Sequence, residues 1–440
     1  MRNSHLLALP YSPDSTLLLR QLASLPGLVF LDSGWQSDAP LPHAGARHDI
    51  LSALPVAVLD CPQPARRTTP SVFQNDALFA DLQALLRQHA PEQPLPTDLR
   101  ELPFSGGALG YLGYDGHAHF GIHDWAIVVD HHRRRSLLIV LPGCAPQTVA
   151  RVQQCLAQPL PEWPDFALIA PFAANFTPES YAEAFAQVQH YIQAGDCYQV
   201  NLAQCFTAPC RGDPLGAYLQ LRRSIHAPFS VYLQDDERTL LSFSPERFLQ
   251  VRDGEVRTQP IKGTRRRAAD PRQDAALAAQ LRSSEKDRAE NLMIVDLLRN
   301  DLGAVCDTGS VQVDALFELQ SFSNVHHLVS SIRGRLPAGT SPLELLRCCF
   351  PGGSITGAPK QRAMQIIAEL EPASRRIYCG TAGYIGFDGR MDTNILIRSL
   401  LWEADQMHCW GGGGLVADSV CAQEYQECFD KINNIINILK

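Results

Sequence analysis

Trp125-Ala126-Ile127-Val128-Val129-Asp130-His131-His132-Arg133-Arg134-Arg135-Ser136-Leu137-Leu138-Ile139-Val140 sets two apolar runs on either side of a polar His/Arg turn. Each run has the length and residue types of a strand, and so short a polar link joins neighbours that run in opposite directions. The stretch predicts an antiparallel hairpin of Trp125–Val129 with Ser136–Val140. Upstream, Leu28-Val29-Phe30-Leu31 and Val56-Ala57-Val58-Leu59 read as short buried strands. Downstream, Pro159, Pro161, Pro164 and Pro171 fall between Gln158 and Phe172 and mark a connecting segment. It separates a region 1–160 from a region 175–440, and the two are expected to form one compact body.

Beyond that segment, helical and strand patterns mix. Thr177-Pro178 is an N-cap followed by proline at the first helical position. Tyr181, Phe185, Val188 and Ile192 then recur at helical spacing up to Gly195. Tyr198 to Leu202 reads as a strand. Ser284 to Leu302 reads as a helix ended by Gly303, Pro359 to Leu370 as another, and about Ala422 to Leu439 as the last. Asp388-Gly389 lies between two β-rich runs and predicts a type I′ hairpin turn. The expected class is therefore α/β with largely antiparallel sheets. No internal repeat is visible.

The chain has 440 residues, 45% hydrophobic and 19% charged, as a globular protein with a large core has. Its net charge of −8 argues against a nucleic-acid binder that works through bulk charge. No apolar run has the length needed to cross a bilayer, and Met1 to Leu6 lacks the apolar core of a secretory signal. The 13 cysteines form no CxxC pair. They read as reduced, mostly buried thiols of a cytosolic protein, and zinc is not expected.

Gln259-Pro260-Ile261-Lys262-Gly263-Thr264 ends a short β-type segment with a lysine between proline and glycine. A lysine fixed in such a turn and partly desolvated loses basicity and gains nucleophilicity near neutral pH. Arg265-Arg266-Arg267 follows directly, as a solvated turn or as cations beside an anionic substrate. Two predicted helices each carry acids three residues apart: Asp287 with Glu290, and Glu424 with Glu427. Such pairs share a helix face. Opposed, the two faces would gather four carboxylates, which suits Mg²⁺, an ion that binds through few carboxylates and takes the rest of its shell from water and substrate. Spacing alone leaves this reading open beside two solvated faces, since Lys431 stands four residues after Glu427 and would pair with it.

These stretches together resemble the chorismate-utilising enzymes. Pro260 to Thr264 is similar to that family's Pro-Ile-(Ala/Lys)-Gly-Thr signature, in which Ala marks the anthranilate-forming members and Lys the 4-amino-4-deoxychorismate-forming ones. Lys286 to Gly303, Gly411 to Ser419 and Glu424 to Cys428 resemble its signature helix and C-terminal motif, and Ser244-Pro245-Glu246 its Ser-Pro-Glu element. The resemblance is densest from Thr177 to Lys431. It is weaker upstream, in Pro103 to Gly107 and Gly110 to Asp115.

The resemblance implies a role for each matched residue. Lys262 is the nucleophile and Glu246 the general acid. Glu290 and Glu427 contact Mg²⁺, with Asp287 and Glu424 in the outer shell. Thr264, His327, Ser354, Tyr378, Arg398, Gly414 and Lys431 bind substrate. His327 precedes leucine as the family histidine does, which makes His326 a bystander. Pro351 to Lys360 is a Gly-rich loop that grips a carboxylate, and Tyr378 and Arg398 hold the enolpyruvyl carboxylate. Leu31-Asp32-Ser33 resembles a tryptophan-binding element of anthranilate synthases, whereas His226-Ala227-Pro228-Phe229 departs from its partner element. Asp32, Ser33, Pro228 and Phe229 thus mark a tryptophan pocket or plain packing.

The implied fold is two antiparallel sheets packed as a sandwich with helices outside. The implied reaction is amination of chorismate at C4 with Mg²⁺, on the route to 4-aminobenzoate and folate. Ammonia would come from a separate glutamine amidotransferase subunit, since the chain shows no glutaminase nucleophile motif. Lys262 in place of Ala speaks against the anthranilate-forming branch. The full set of Glu246, Lys262, Glu290 and Glu427 speaks against a non-catalytic activator of the amidotransferase.

Overall fold

In the computed structural model, which describes residues 5–36, 46–62, 76–93, 95–96, 98–321 and 325–440, strand Trp125–Asp130 pairs antiparallel with Arg135–Val140. Trp125 faces Val140 and Asp130 faces Arg135. Met1 to Ser4 of the expected leaderless terminus lie outside the described residues.

The hairpin belongs to the first of two sheets. Its strands run, side by side, His5–Leu9, Arg135–Val140, Trp125–Asp130, His48–Ser52, Val29–Asp32, Phe229–Gln234, Arg238–Ser244, Ser399–Glu403, Gln406–Leu415, Gln199–Gly212 and Ala173–Ala174. The second sheet runs Ile261–Arg266, Val325–Arg335, Glu255–Gln259, Arg247–Arg252, Met391–Asn394, Thr381–Gly386, Gly107–Leu112, Ala118–His123 and Ala57–Cys61. Every pairing among the described strands is antiparallel.

The period-two direction of strand side chains explains why the first sheet's sequences are continuously apolar. Val29, Val128, Val231 and Leu240 face a core shared with Leu109, Leu249, Val251 and Ile385 of the second sheet. Their neighbours Phe30, Val129, Tyr232 and Leu241 face a second core. That core is closed by helices Thr16–Leu22, Pro146–Ala157, Pro214–Arg222 and Cys421–Leu439. The result is the expected sandwich with helices outside.

In each sheet the strands from the two sides of the proline-rich segment form two blocks that meet at one seam. Val29–Asp32 pairs with Phe229–Gln234, and Gly107–Leu112 with Thr381–Gly386. Within the segment, the Trp163 ring packs against the guanidinium groups of Arg20 and Arg223, 5.4 and 4.1 Å from its centroid.

Thr177 caps helix Pro178–Gln193 in a reciprocal box with Ser180. Three local expectations need correction. The strand near Val56–Leu59 is Ala57–Cys61, an edge strand with Val58 49% exposed, because among the described strands it pairs only with Ala118–His123. The hairpin at Asp388-Gly389 forms, but not with a type I′ turn. That type needs positive φ at both central residues, and only Gly389 has it, at +79°. The Gly389 N–H donates to Gly386 O and the Gly386 N–H to Arg390 O, at 3.0 and 2.7 Å, which is a type I turn closed by one left-handed residue. Asp388 serves it by accepting from the Arg390 N–H at 3.1 Å. Finally, Lys262 is not in a turn. It lies in strand Ile261–Arg266, which pairs with Val325–Arg335, and Pro260 separates that strand from Glu255–Gln259.

Candidate active site

Register is what brings Lys262 to its partners. The pairing with Val325–Arg335 shifts between Lys262 and Thr264, and Gly263 fills the bulge at φ +79°. A side chain at Gly263 would meet the Asp287 carboxyl carbon at 3.0 Å, so the bulge also lets helix Glu285–Gly303 lie against the strand. Lys262 Nζ donates to the Ser354 carbonyl at 3.1 Å. Burial lowers its basicity and the nearby Lys431 adds to this, while Glu290, Glu246 and Glu427 act the other way.

Glu246 comes from the opposite side. The Ser244 hydroxyl donates to Ile395 O at 2.6 Å, and its oxygen accepts the Glu246 N–H at 3.2 Å. The Ile395 N–H in turn donates to Glu246 O at 3.0 Å. The carboxyl is 5% exposed and accepts from the Ser354 hydroxyl at 2.8 Å. Burial pushes its pKa up to about 7, against the pull of Ser354, Lys262 and the Ile261 amide. Ser354 therefore touches both residues, Glu246 with its hydroxyl and Lys262 with its carbonyl.

Ser354 sits in the single 3-10 turn Gly353–Ile355 of the Gly-rich loop. The loop is braced from within. Arg375, fully buried, donates to Ile355 O at 3.1 Å and to Asn201 O at 2.6 Å, and pairs with Glu371 at 2.7 Å. Glu371 also accepts the Ala203 N–H at 2.8 Å. Lys360 closes the far end on Asp301 and Cys349 O, at 2.6 and 3.0 Å. Sequence reading missed these supports. Glu371 and Arg375 stand four apart, the spacing of an ordinary surface pair, and nothing local marks them as buried.

Glu290 and Glu427, one from each acid pair, lie near enough for Glu427 to act on Glu290, but among the described residues no three acidic, histidine or cysteine side chains gather closely enough to hold an ion. Asp287 pairs with Arg265 at 3.2 Å, and Glu424 accepts from the Ser419 hydroxyl at 2.7 Å. Glu290 is left facing Lys262 and Lys286. Burial raises its pKa against those two charges, and Asp287 and Glu427 raise it further. Glu427 pairs with Lys431 at 2.7 Å; burial alone would raise it, yet Lys431, Lys262 and Lys286 together hold it below the usual carboxylate range. Glu290 and Glu427 thus offer two carboxylates rather than a closed cage, which suits a hard divalent cation that takes the rest of its shell from water and substrate.

The glycine run serves these side chains. A Cβ at Gly413 would meet Glu424 Oε2 at 2.9 Å and Glu427 Oε1 at 3.4 Å. One at Gly414 would meet Gln199 Nε2 at 2.0 Å, so the room at Gly414 is taken by the chain's own Gln199.

His327, 5% exposed, shares a hydrogen bond of 2.8 Å with the Thr264 hydroxyl directly across the strand pair. His326 points the other way, to Asp274 and Ser321, at 3.0 and 2.8 Å. Arg267 also pairs with Asp274, so two of the three consecutive arginines are tied to acids. Tyr378 is buried and stacks on Trp410, with ring centroids 6.4 Å apart. Arg398 takes a left-handed backbone at φ +55°. Burial and Arg266 disfavour its charge, and Tyr378 favours it.

Asp32, Ser33, Pro228 and Phe229 line a cavity of about 290 Å³ between the sheets, with Arg247 and Arg390. Neither Glu246, Lys262, Glu290 nor Glu427 borders it. The Asp32 carboxylate is already held by Tyr218 at 2.8 Å and Arg222 at 3.1 Å, and the Ser33 hydroxyl by Asp49 at 2.6 Å.

The model of the chorismate binding enzyme family matches residues 57–437. The chain belongs to that family. It is 45% identical to aminodeoxychorismate synthase component 1 of Klebsiella aerogenes, with all of both chains covered. It is 44% identical to the Escherichia coli (strain K12) protein of the same name, over 97% of this chain and 98% of that one. The crystal structure of anthranilate synthase component I from Streptococcus pneumoniae TIGR4 superposes with a TM-score of 0.75 at 28% identity, over 91% of this chain and 94% of that one. No helix among the described residues is long and apolar enough to cross a membrane.

Proposed function

We propose that this chain aminates chorismate at C4, as the name of its full-length relatives implies for them, and that it does so through Lys262. The observation that carries the reading is the meeting of Lys262 and Glu246 on the two polar ends of Ser354. A lysine of lowered basicity can attack only when its lone pair is free. A carboxyl with a pKa of about 7 still holds its proton in a good fraction of molecules near neutrality. Lys262 Nζ bonds to ring C2 as the two conjugated ring double bonds each move one position along the ring, the second ending at C4. The C4–O bond breaks, and Glu246 gives its proton so that the hydroxyl leaves as water. Ammonia then bonds to C4, the shift reverses, and Lys262 departs as the free amine, leaving the enolpyruvyl group in place. The balance is chorismate and ammonia to aminodeoxychorismate and water.

Glu290 and Glu427 would hold Mg²⁺, with Asp287 and Glu424 behind them. Once bound, the ion supplies positive charge to a substrate carboxylate. Thr264, His327, Ser354, Tyr378, Arg398, Gly414 and Lys431 orient the substrate around the two reacting groups. Ammonia comes from a glutamine amidotransferase partner in the cytoplasm, and residues 1–160 and 175–440 act as one body.

The test is product analysis with saturating ammonium salt and Mg²⁺. Lys262→Ala should lose orders of magnitude in C4 amination. Wild type should show a substrate adduct on Lys262 by mass, and residual amination in the variant should move toward C2. Near wild-type C4 amination by Lys262→Ala would overturn the covalent route. Anthranilate from the wild type would overturn the choice of branch.

A further inference from the structure

We infer that Lys431 is a tethered competitor for the metal: its ammonium occupies the Glu427 carboxylate that a divalent cation needs, and so holds metal affinity down until substrate arrives. The inference rests on the reading of Glu427 as a metal ligand. Lys431 Nζ lies 2.7 Å from Glu427 Oε1 and 2.6 Å from Gly412 O. The pair is one helical turn long, on helix Cys421–Leu439, and both side chains are partly open to solvent. A cation arriving at Glu427 meets a like charge already seated there, and the two repel at that distance.

The second contact gives the ammonium somewhere to stay. Gly412 belongs to strand Gln406–Leu415, whose pairing opposite Ala203 fixes its carbonyl. Lys431 can therefore release Glu427 and keep Gly412 O without leaving the site. It is then a free ammonium beside the metal, and a substrate carboxylate can bind both. Metal and anionic substrate then bind better together than alone, because each relieves what the other meets.

The experiment is Mg²⁺ titration of the full chain by calorimetry, repeated with Mn²⁺ by electron paramagnetic resonance, with and without chorismate. Lys431→Met should bind Mg²⁺ alone roughly two- to fivefold more tightly than wild type, the worth of a half-exposed ion pair. Chorismate should raise Mg²⁺ affinity less in this variant than in wild type. Lys431→Arg, which keeps the charge, should stay near wild type. Unchanged or weaker Mg²⁺ binding by Lys431→Met overturns the inference, as does equal tightening by Lys431→Arg, which would indicate packing rather than charge. Glu427→Gln separates the two levels. If it weakens Mg²⁺ binding while Lys431→Met leaves it unchanged, only the competition fails. If Glu427→Gln binds Mg²⁺ like wild type, the ligand reading itself fails and takes the competition with it.

Discussion

Ser354 is one side chain with two duties, and its hydroxyl can be removed without touching its carbonyl. That hydroxyl stabilises the charged form of Glu246. Without it the carboxyl pKa rises further. If Glu246 is the general acid, kcat/KM falls as pH rises through its pKa, near 7 in wild type. Ser354→Ala should move that falling limb to higher pH while the Lys262 contact persists. A limb that stays in place, or moves down, removes Glu246 from the acid role. Arg375 is the opposite kind of residue, touching no reacting group. Arg375→Met removes the counter-charge of the buried Glu371 carboxylate and the donor to Ile355 O. The expected loss is roughly 3–5 kcal/mol, read as a lower denaturant midpoint. Lys262 and Glu246 could be singled out in the sequence because each lies in a short motif, and the structure brings both to Ser354. Glu371, Arg375 and Asp301 could not, because their importance lies in burial and in partners such as Asn201 O and Lys360, which stand far away along the chain.

Strands and helices with strong local signals formed as read. The Thr177 cap, the Trp125–Val140 hairpin and the helix from Ser284 all rest on neighbouring residues. What the chain alone did not disclose was register. Nothing local distinguishes a lysine after a proline in a turn from one in a bulged strand, since the bulge exists only against Val325–Arg335. The Asp388-Gly389 signal fixed a hairpin but not its turn type, which the strand spacing chose. The bulge makes its own prediction. Gly263→Ala must hold alanine at φ +79° and press its methyl on Asp287 and Leu281. It should cost at least about 1–2 kcal/mol in stability from the backbone alone. Because the strand carrying Lys262 is pushed off the helix carrying Glu290, kcat should fall further than the folded fraction does. Parallel assays of turnover and thermal midpoint check this, and equal falls would mean the bulge serves stability only.

At the scale of the whole chain, each sheet takes strands from both regions, so neither region has a sheet of its own to close. Residues 1–160 and 175–440 expressed separately should each stay without protected amides in hydrogen exchange, and mixing them should restore protection. Independent protection of either fragment would count against a single body. A buried histidine reports on the same body. His123, 1% exposed and bonded to the Ser52 hydroxyl at 2.8 Å, has its pKa lowered by burial to about 3 from 6.5. The unfolded chain takes up a proton that the fold refuses. Its contribution is therefore whole above pH 6.5 and falls as pH drops toward 3. Between pH 7 and 5 wild type should lose about 2 kcal/mol that His123→Gln does not, seen as a converging pair of urea curves. Parallel curves would mean that His123 titrates alike in both states.

The glycine run beside the acids has a consequence for how this chain can vary. Gly411, Gly412, Gly413 and Gly414 are each met by different atoms of the same molecule: the Cys428 carbonyl, Ala203, the Glu424 and Glu427 carboxylates, and the Gln199 amide. Gly411 and Gly412 are closed by backbone atoms, whereas a side chain at Gly413 or Gly414 would push aside the tips of the acids or of Gln199. No compensating change at a single neighbour can relax all of them. In a library of every single exchange, Gly411 and Gly412 should stand empty of folded survivors, Gly413 and Gly414 should lose activity before they lose folding, and exposed Arg252 or Glu237 should tolerate most exchanges. Such a pattern would be a footprint of packing, left by the atoms that hold the acids in place as much as by the reaction they serve.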